Sequence, residues 1–210
     1  MGMIIHKKLD HDSMLGVWQI TEDYDNLLSR LNLSREETDQ LNNFKNHNRK
    51  LEWLSVRALT RELTGSTARI IYNEDRKPFL TDNSYRISIS HSRKLTAILA
   101  SRNKRVGIDL EFMSHRISKI ADKFINESEK ITNNPVKLRY HLYIHWCAKE
   151  SLYKICDKKG LNFRKNLIIR PFVPGRSGSL FGLVTETGRS EEYELNYFRK
   201  NNYIIVWCCK

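Results

Sequence analysis

No stretch of this chain approaches the roughly 18–20 consecutive apolar residues that a membrane span needs, so a spanning helix is excluded. The opening residues, MGMIIHKKLD, carry no apolar core of the secretory kind. The Met-Gly start is not followed by Ser or Thr where myristoylation would need it. The expected location is the cytoplasm, with no membrane partner. Cysteine is scarce: Cys147, Cys156, Cys208 and Cys209 are the four in 210 residues, with neither metal-site spacing nor a disulfide framework. Reduced, partly buried thiols are expected. Gly-x-Ser-x-Gly is missing, so the Ser and His near position 90 lack that frame for nucleophilic hydrolysis. No residue-level repeat is evident.

What is present describes an ordinary folded chain. Hydrophobic residues make up 40% and charged residues 29%, which excludes a disordered polymer. The length suits one large domain or two small ones, and a chain of this size buries roughly 70% of its unfolded surface without a metal or disulfide staple. Charge is lopsided, 36 Lys+Arg against 24 Asp+Glu for a net +12. Such a surplus draws an anionic partner: nucleic acid, a membrane surface, a nucleotide cofactor or an acidic protein.

Ser34-Arg35-Glu36-Glu37 has the capping-box form and predicts a helix start. A second helix is expected from about Asn46 to Leu63, with Leu51, Leu54, Ala58 and Leu59 as its apolar stripe and Gly65 as its stop. Strands are expected at Arg69–Tyr72, Tyr85–Ser90, Leu95–Ala100 and Val106–Glu111. In the second of these, Ile87 and Ile89 should point inward, and Ser88 and Ser90 to the other face. Ile117, Ile120, Ala121 and Phe124 predict a short helix, and Val136 to Asp157 a long one. Three strands should close the chain, near Leu180–Glu186, Tyr193–Arg199 and Tyr203–Cys209. Hairpin turns are expected at Gly188-Arg189-Ser190 and Lys200-Asn201-Asn202. The simplest organisation is two α+β halves, 1–103 and 104–210, each with a small, mainly antiparallel sheet packed on helices.

Val106-Gly107-Ile108-Asp109-Leu110-Glu111 carries the most chemistry per residue. Alternation puts Gly107, Asp109 and Glu111 on one face, with the two carboxylates about 6.5–7 Å apart along the backbone. They could converge on a hard cation such as Mg²⁺, with Gly107 leaving room for a ligand, or form the solvated face of an edge strand. In the long helix, Trp146, Glu150 and Lys154 are spaced i, i+4, i+8 and share a face. Glu150 could complete a three-carboxylate site and Lys154 meet a phosphate, with Lys149 on the flank; a surface Glu-Lys pair is the plainer alternative. Ser88-Ile89-Ser90-His91-Ser92 ends a strand with groups that can bond phosphate or ribose. Arg76-Lys77-Pro78 follows a turn, and Arg49, Lys50, Arg57 and Arg61 make a basic helix stretch whose default is a solvated face. Glu129 stands where a carboxylate can favour a helix start.

Together these segments resemble the 4′-phosphopantetheinyl transferase superfamily in its longer, Sfp-type branch. The Gly-Lys-Pro segment of that family looks like Arg76-Lys77-Pro78, and its Ser-His-Ser strand end like Ser90-His91-Ser92. Its Gly-Ile-Asp-x-Glu strand looks like Gly107-Ile108-Asp109-Leu110-Glu111, and its Phe-x-x-x-x-Glu element like Phe124 to Glu129. Its Trp-x-x-Lys-Glu-x-x-x-Lys helix looks like Trp146 to Lys154. The resemblance covers Arg76 to Lys154; Arg76 departs from it where the family carries Gly.

The resemblance implies two similar subdomains related by a pseudo-two-fold, a monomer, and an active site in the cleft between the halves. It implies transfer of the 4′-phosphopantetheine of coenzyme A to a serine of an apo acyl or peptidyl carrier protein, with release of 3′,5′-ADP. Asp109, Glu111 and Glu150 would bind Mg²⁺, with Glu150 or Glu111 also serving as base. Lys154 would stabilise the pyrophosphate and the departing charge. Lys149, Lys77, Ser90, His91 and Arg49 would contact the nucleotide and its 3′-phosphate, and Glu129 would support the site. A nucleic-acid-binding module, resting on charge and on Tyr72, Tyr140 and Tyr143, is the rival from another class. It leaves the acidic strand unexplained. A non-catalytic relative that only binds carrier proteins is a second rival, disfavoured by the full acidic set and Lys154.

Overall fold

The computed structural model describes residues 2–156, 160–186 and 188–210. The chain divides into two compact units, Met1–Asn103 and Lys104–Lys210. Both combine helices with antiparallel sheet, so the class is α+β.

Unit 1 runs β1 (Met3–Lys8), β2 (Ser13–Gln19), α1 (Tyr24–Ser29), α2 (Arg35–Asn43), α3 (His47–Thr64), β3 (Ile70–Tyr72), β4 (Pro78–Leu80), β5 (Arg86–Ser92) and β6 (Leu95–Ser101). Its main sheet has the order β1-β2-β6-β5, and β3 and β4 form a separate ribbon. The expected Ser34–Glu37 box opens α2 and Gly65 ends α3 at φ 67°, while Asn46, expected near the start of that helix, is its N-cap. Helix α3 lies on the sheet because β2 carries glycine where they touch. A Cβ on Gly16 would come within 2.9 Å of Leu59 Cδ1, so a larger residue here would make the leucine side chains of α3 shift. One expectation is corrected here. Arg57 is buried rather than solvated, paired with Glu37 at 3.0 Å and lying over the Trp53 ring. Ser88 and Ser90 are also buried, more fully than Ile89, so both faces of β5 are covered. Arg76 takes φ 60° in the turn between β3 and β4, a left-handed conformation that glycine adopts without strain.

Unit 2 runs β7 (Val106–Phe112), a 3-10 turn at His115–Ile120, α4 (Ala121–Phe124), α5 (Pro135–Cys156), β8 (Leu167–Ile169), β9 (Ser177–Glu186), β10 (Arg189–Lys200) and β11 (Tyr203–Cys209). The sheet order is β7-β11-β10-β9-β8, antiparallel throughout. Helix α5 covers one face, packed chiefly on β7 and β11. The short helix expected around Ile117–Phe124 is split into a 3-10 turn and a single α turn. Asp157, the expected end of α5, lies outside the described residues. Arg189 and Ser190 already pair within β10, while Asn201 at φ 52° turns β10 into β11 as expected. Among the described residues, no helix is long and apolar enough to cross a membrane.

The core of unit 2 contains two histidines one helical turn apart. His145 Nδ1 donates to His141 O at 3.1 Å, and His141 Nδ1 accepts from Thr132 N at 3.1 Å. Phe172 packs against both rings, at 4.7 and 5.3 Å between centroids. The Nε2 atoms of both histidines are buried without a hydrogen-bond partner. Burial holds His145 down to about 3, with His141 and Lys149 opposing its charge, and burial lowers His141 as well. An unfolded histidine protonates near pH 6.5 while the folded one stays neutral, so folding stability falls with pH below about 6.5. The loss is roughly 1.4 kcal/mol per pH unit until about pH 3. Glu150, whose carboxyl is pushed up to about 7, acts in the opposite sense between about pH 7 and 4.5, so the informative quantity is a difference. In denaturant titrations across this range, the His145→Phe variant should gain on the parent by about that slope. Parallel curves would show that His145 is not held neutral.

Candidate active site

The site in unit 2 depends first on how closely α5 lies on β7. A Cβ built on Gly107 would fall 2.1 Å from the carbonyl oxygen of Ser151. The space left by this glycine is therefore filled by the helix backbone, not by a ligand as the strand pattern suggested. Gly107→Ala must separate α5 from β7 or fail to fold, at a cost of about 3 kcal/mol or more. Thermal unfolding of that variant checks the point, and an unchanged midpoint would contradict the packing.

The contact carries α5's functional face to β7's acidic one. Asp109 is buried, and Lys154 Nζ donates to its Oδ1 at 2.8 Å and to Ile108 O at 2.9 Å. Glu150 and Glu111 are half-buried. Burial, then the charge of Asp109, pushes the Glu150 carboxyl up to about 7; Lys154 pulls it down and Glu111 adds to the rise. Cys147, one turn before Ser151, is kept a thiol by burial and by the charges of Asp109 and Glu111. The structure thus brings Asp109, Glu111, Glu150 and Lys154 into one electrostatic neighbourhood: three acids and a single amine. Among the described residues, no three acids, histidines or cysteines are gathered closely enough to hold a metal. The chemistry of the donor set nevertheless fits a hard divalent cation. All donors are carboxylate oxygens, and their mutual repulsion, visible in Glu150, is what such an ion would relieve.

Lys149 behaves otherwise than the resemblance implies. Its side chain is fully buried and donates to Phe124 O, to Glu129 Oε2 at 2.8 Å and to Phe163 O at 3.0 Å. Those three bonds use all three ammonium hydrogens, so none is left for a nucleotide. Glu129 is also buried, and it is not at a helix start. It accepts from Asn126 N at 2.6 Å, Ile169 N at 2.7 Å and Lys149. The pair ties the segment after α4 and strand β8 to α5, directly beside Glu150. Trp146 packs over the same segment, edge-on to Phe124 at 5.2 Å.

The remaining expected residues belong to unit 1. Arg49, in the first turn of α3, donates from Nη1 to His91 Nε2 at the end of β5. The same Nη1 meets Glu52 Oε2 at 3.1 Å, and that oxygen stands 3.4 Å from His91 Nδ1. Ser90 is buried one residue earlier, paired across the ladder with Ala97. Lys77 is half-buried before β4, its Nζ 6.0 Å from the Phe79 ring centre. Arg49 and His91 are therefore neighbours. Glu52 went unread in the sequence; its signal was the i,i+3 spacing from Arg49 on the exposed edge of α3.

No curated protein sequence matches the chain. The family model described as the 4′-phosphopantetheinyl transferase superfamily matches residues 105–208, nearly the whole of unit 2 and all four members of the acidic site. Through that unit, the chain belongs to the 4′-phosphopantetheinyl transferase superfamily, whose members move phosphopantetheine from coenzyme A to carrier proteins.

Proposed function

We propose that this protein is a Mg²⁺-dependent 4′-phosphopantetheinyl transferase of the two-unit, Sfp-type branch, acting on a serine of an apo acyl or peptidyl carrier protein. The observation that carries the reading is the gathering of Asp109, Glu111, Glu150 and Lys154 within the family-matched unit. In the reaction, the carrier serine Oγ bonds to the phosphorus that bears pantetheine. The bond to the bridging pyrophosphate oxygen breaks, and 3′,5′-ADP leaves. Asp109, Glu111 and Glu150 would hold the divalent ion, which supplies positive charge to the pyrophosphate oxygens. Of the two candidate bases we choose Glu150, whose carboxyl is disposed to hold a proton by burial and by the charge of Asp109. It takes the serine proton. Lys154, held by Asp109 and the Ile108 carbonyl, offers its ammonium to the charge growing on the departing phosphate.

We assign Arg49, His91, Ser90 and Lys77 of unit 1 to the nucleotide and its 3′-phosphate. Lys149 and Glu129 support the acidic site from within the core. The net charge of +12 favours encounter with acidic carriers. We take the active form to be a monomer in the cytoplasm, where the thiols of Cys147, Cys156, Cys208 and Cys209 would stay reduced. The test is to mix the protein with coenzyme A, Mg²⁺ and apo carrier proteins and weigh the carrier. One phosphopantetheine should be added, and chelation should stop the addition. No added mass on several carriers, together with no metal-dependent coenzyme A binding, would refute the proposal.

A further inference from the structure

Unit 1 contains one cluster in which a carboxylate sits between two basic residues assigned to the nucleotide. Glu52 Oε2 lies 3.1 Å from Arg49 Nη1 and 3.4 Å from His91 Nδ1, and Arg49 Nη1 also donates to His91 Nε2. An arginine can only donate, so His91 Nε2 is the acceptor and its ring proton resides on Nδ1, toward Glu52. The carboxylate thus selects the histidine tautomer and ties Arg49 to the same point.

The scaffold beneath this triangle is rigid. Asn46 Oδ1 caps α3 by accepting from Arg49 N at 3.2 Å, which fixes where the arginine side chain starts. Three residues after Glu52, Ser55 Oγ shares a hydrogen bond of 2.7 Å with Thr96 Oγ1, and both are fully buried. Thr96 is the cross-strand partner of His91 in the β5–β6 ladder. Helix α3 is therefore fastened to the strand pair twice at one level, by Ser55 to Thr96 and by Glu52 to His91.

We propose that Glu52 is a positioning residue that, together with His91, orders Arg49 as the donor of a subsite for a phosphate monoester, the 3′-phosphate of coenzyme A. The proposal rests on the functional reading above. A carboxylate beside an anion subsite also repels the anion, so the two effects compete. Ordering prevails because the arginine side chain is 44% exposed, where a single charge is well screened, whereas a free arginine must lose much rotamer freedom on binding.

The experiment compares coenzyme A with its analogue lacking the 3′-phosphate, by calorimetry on the full chain. For Glu52→Ala, coenzyme A binding should weaken about tenfold and binding of the analogue no more than about twofold. Glu52→Gln keeps an acceptor oxygen and should stay within about threefold of the parent for both ligands. Nitrogen NMR of His91 supplies a readout that does not depend on any ligand. The Nδ1–H tautomer should dominate in the parent and in Glu52→Gln, and give way to Nε2–H in Glu52→Ala. Equal weakening of both ligands, tighter binding of coenzyme A by Glu52→Ala, or an unmoved tautomer would overturn the role. A parent protein that binds no coenzyme A would instead defeat the functional reading, leaving the tautomer to decide what Glu52 does.

Discussion

Alanine at Asp109 is expected to lower transfer to the carrier by roughly a thousandfold or more, and alanine at Glu150 to do the same. Both losses should occur in folded proteins. Asp109 is buried, so its removal would ordinarily be expensive, but two features soften the cost. Its partner Lys154 is 28% exposed and can turn to water. Its charge also raises the Glu150 carboxyl, so removing it relieves a repulsion. The thermal midpoint should stay within about 4 °C of the parent, equivalent to roughly 1 kcal/mol. Single-turnover transfer measured by carrier mass, beside thermal melts, separates lost chemistry from lost fold. Near-normal rates in both variants would remove the acidic trio from the site.

The residues that proved legible were those whose meaning is local. Ser34, Asn46 and Gly65 bound their helices as the sequence indicated, because a cap is decided within four residues of chain. Alternation likewise put Asp109 and Glu111 on one face of β7. What alternation does not contain is the identity of whatever lies across that face. Gly107 looked like room for a ligand and is room for the backbone of Ser151. Lys149 looked like a phosphate contact because it neighbours Glu150, yet its three acceptors come from Phe124, Glu129 and Phe163, each remote in sequence. Arg57 belonged to a basic stretch and was drawn inside by Glu37 and Trp53. The first two strands gave little signal, since Gly16 interrupts β2 and the second half of β1 is polar and exposed. The pattern is consistent: spacing reports which face a side chain takes, and only the fold reports what meets it there.

Lys149 offers the second large effect, and it separates the two roles proposed for that residue. In Lys149→Met, Glu129 would remain as a buried carboxylate without its cation, a situation that costs about 3–5 kcal/mol. Its hydrogen bonds from Asn126 N and Ile169 N persist and hold the side chain in place. Burial already lowers the Lys149 pKa, with Glu129 opposing that shift, so the pair is strained by desolvation and held by mutual attraction. Removing both charges should therefore be much cheaper than removing one. Lys149→Met combined with Glu129→Gln is expected to recover at least about 2 kcal/mol relative to Lys149→Met alone, as a coupled buried pair should in a double-mutant cycle. Urea titrations of the parent, both single variants and the double variant measure this directly. A nucleotide-binding lysine predicts something else: weaker coenzyme A binding in the folded protein with little change in stability. For the buried pin, coenzyme A affinity measured well below the melting point should stay within about threefold of the parent. A tenfold weakening without destabilisation would return Lys149 to the ligand and would require its three internal hydrogen bonds to break on binding.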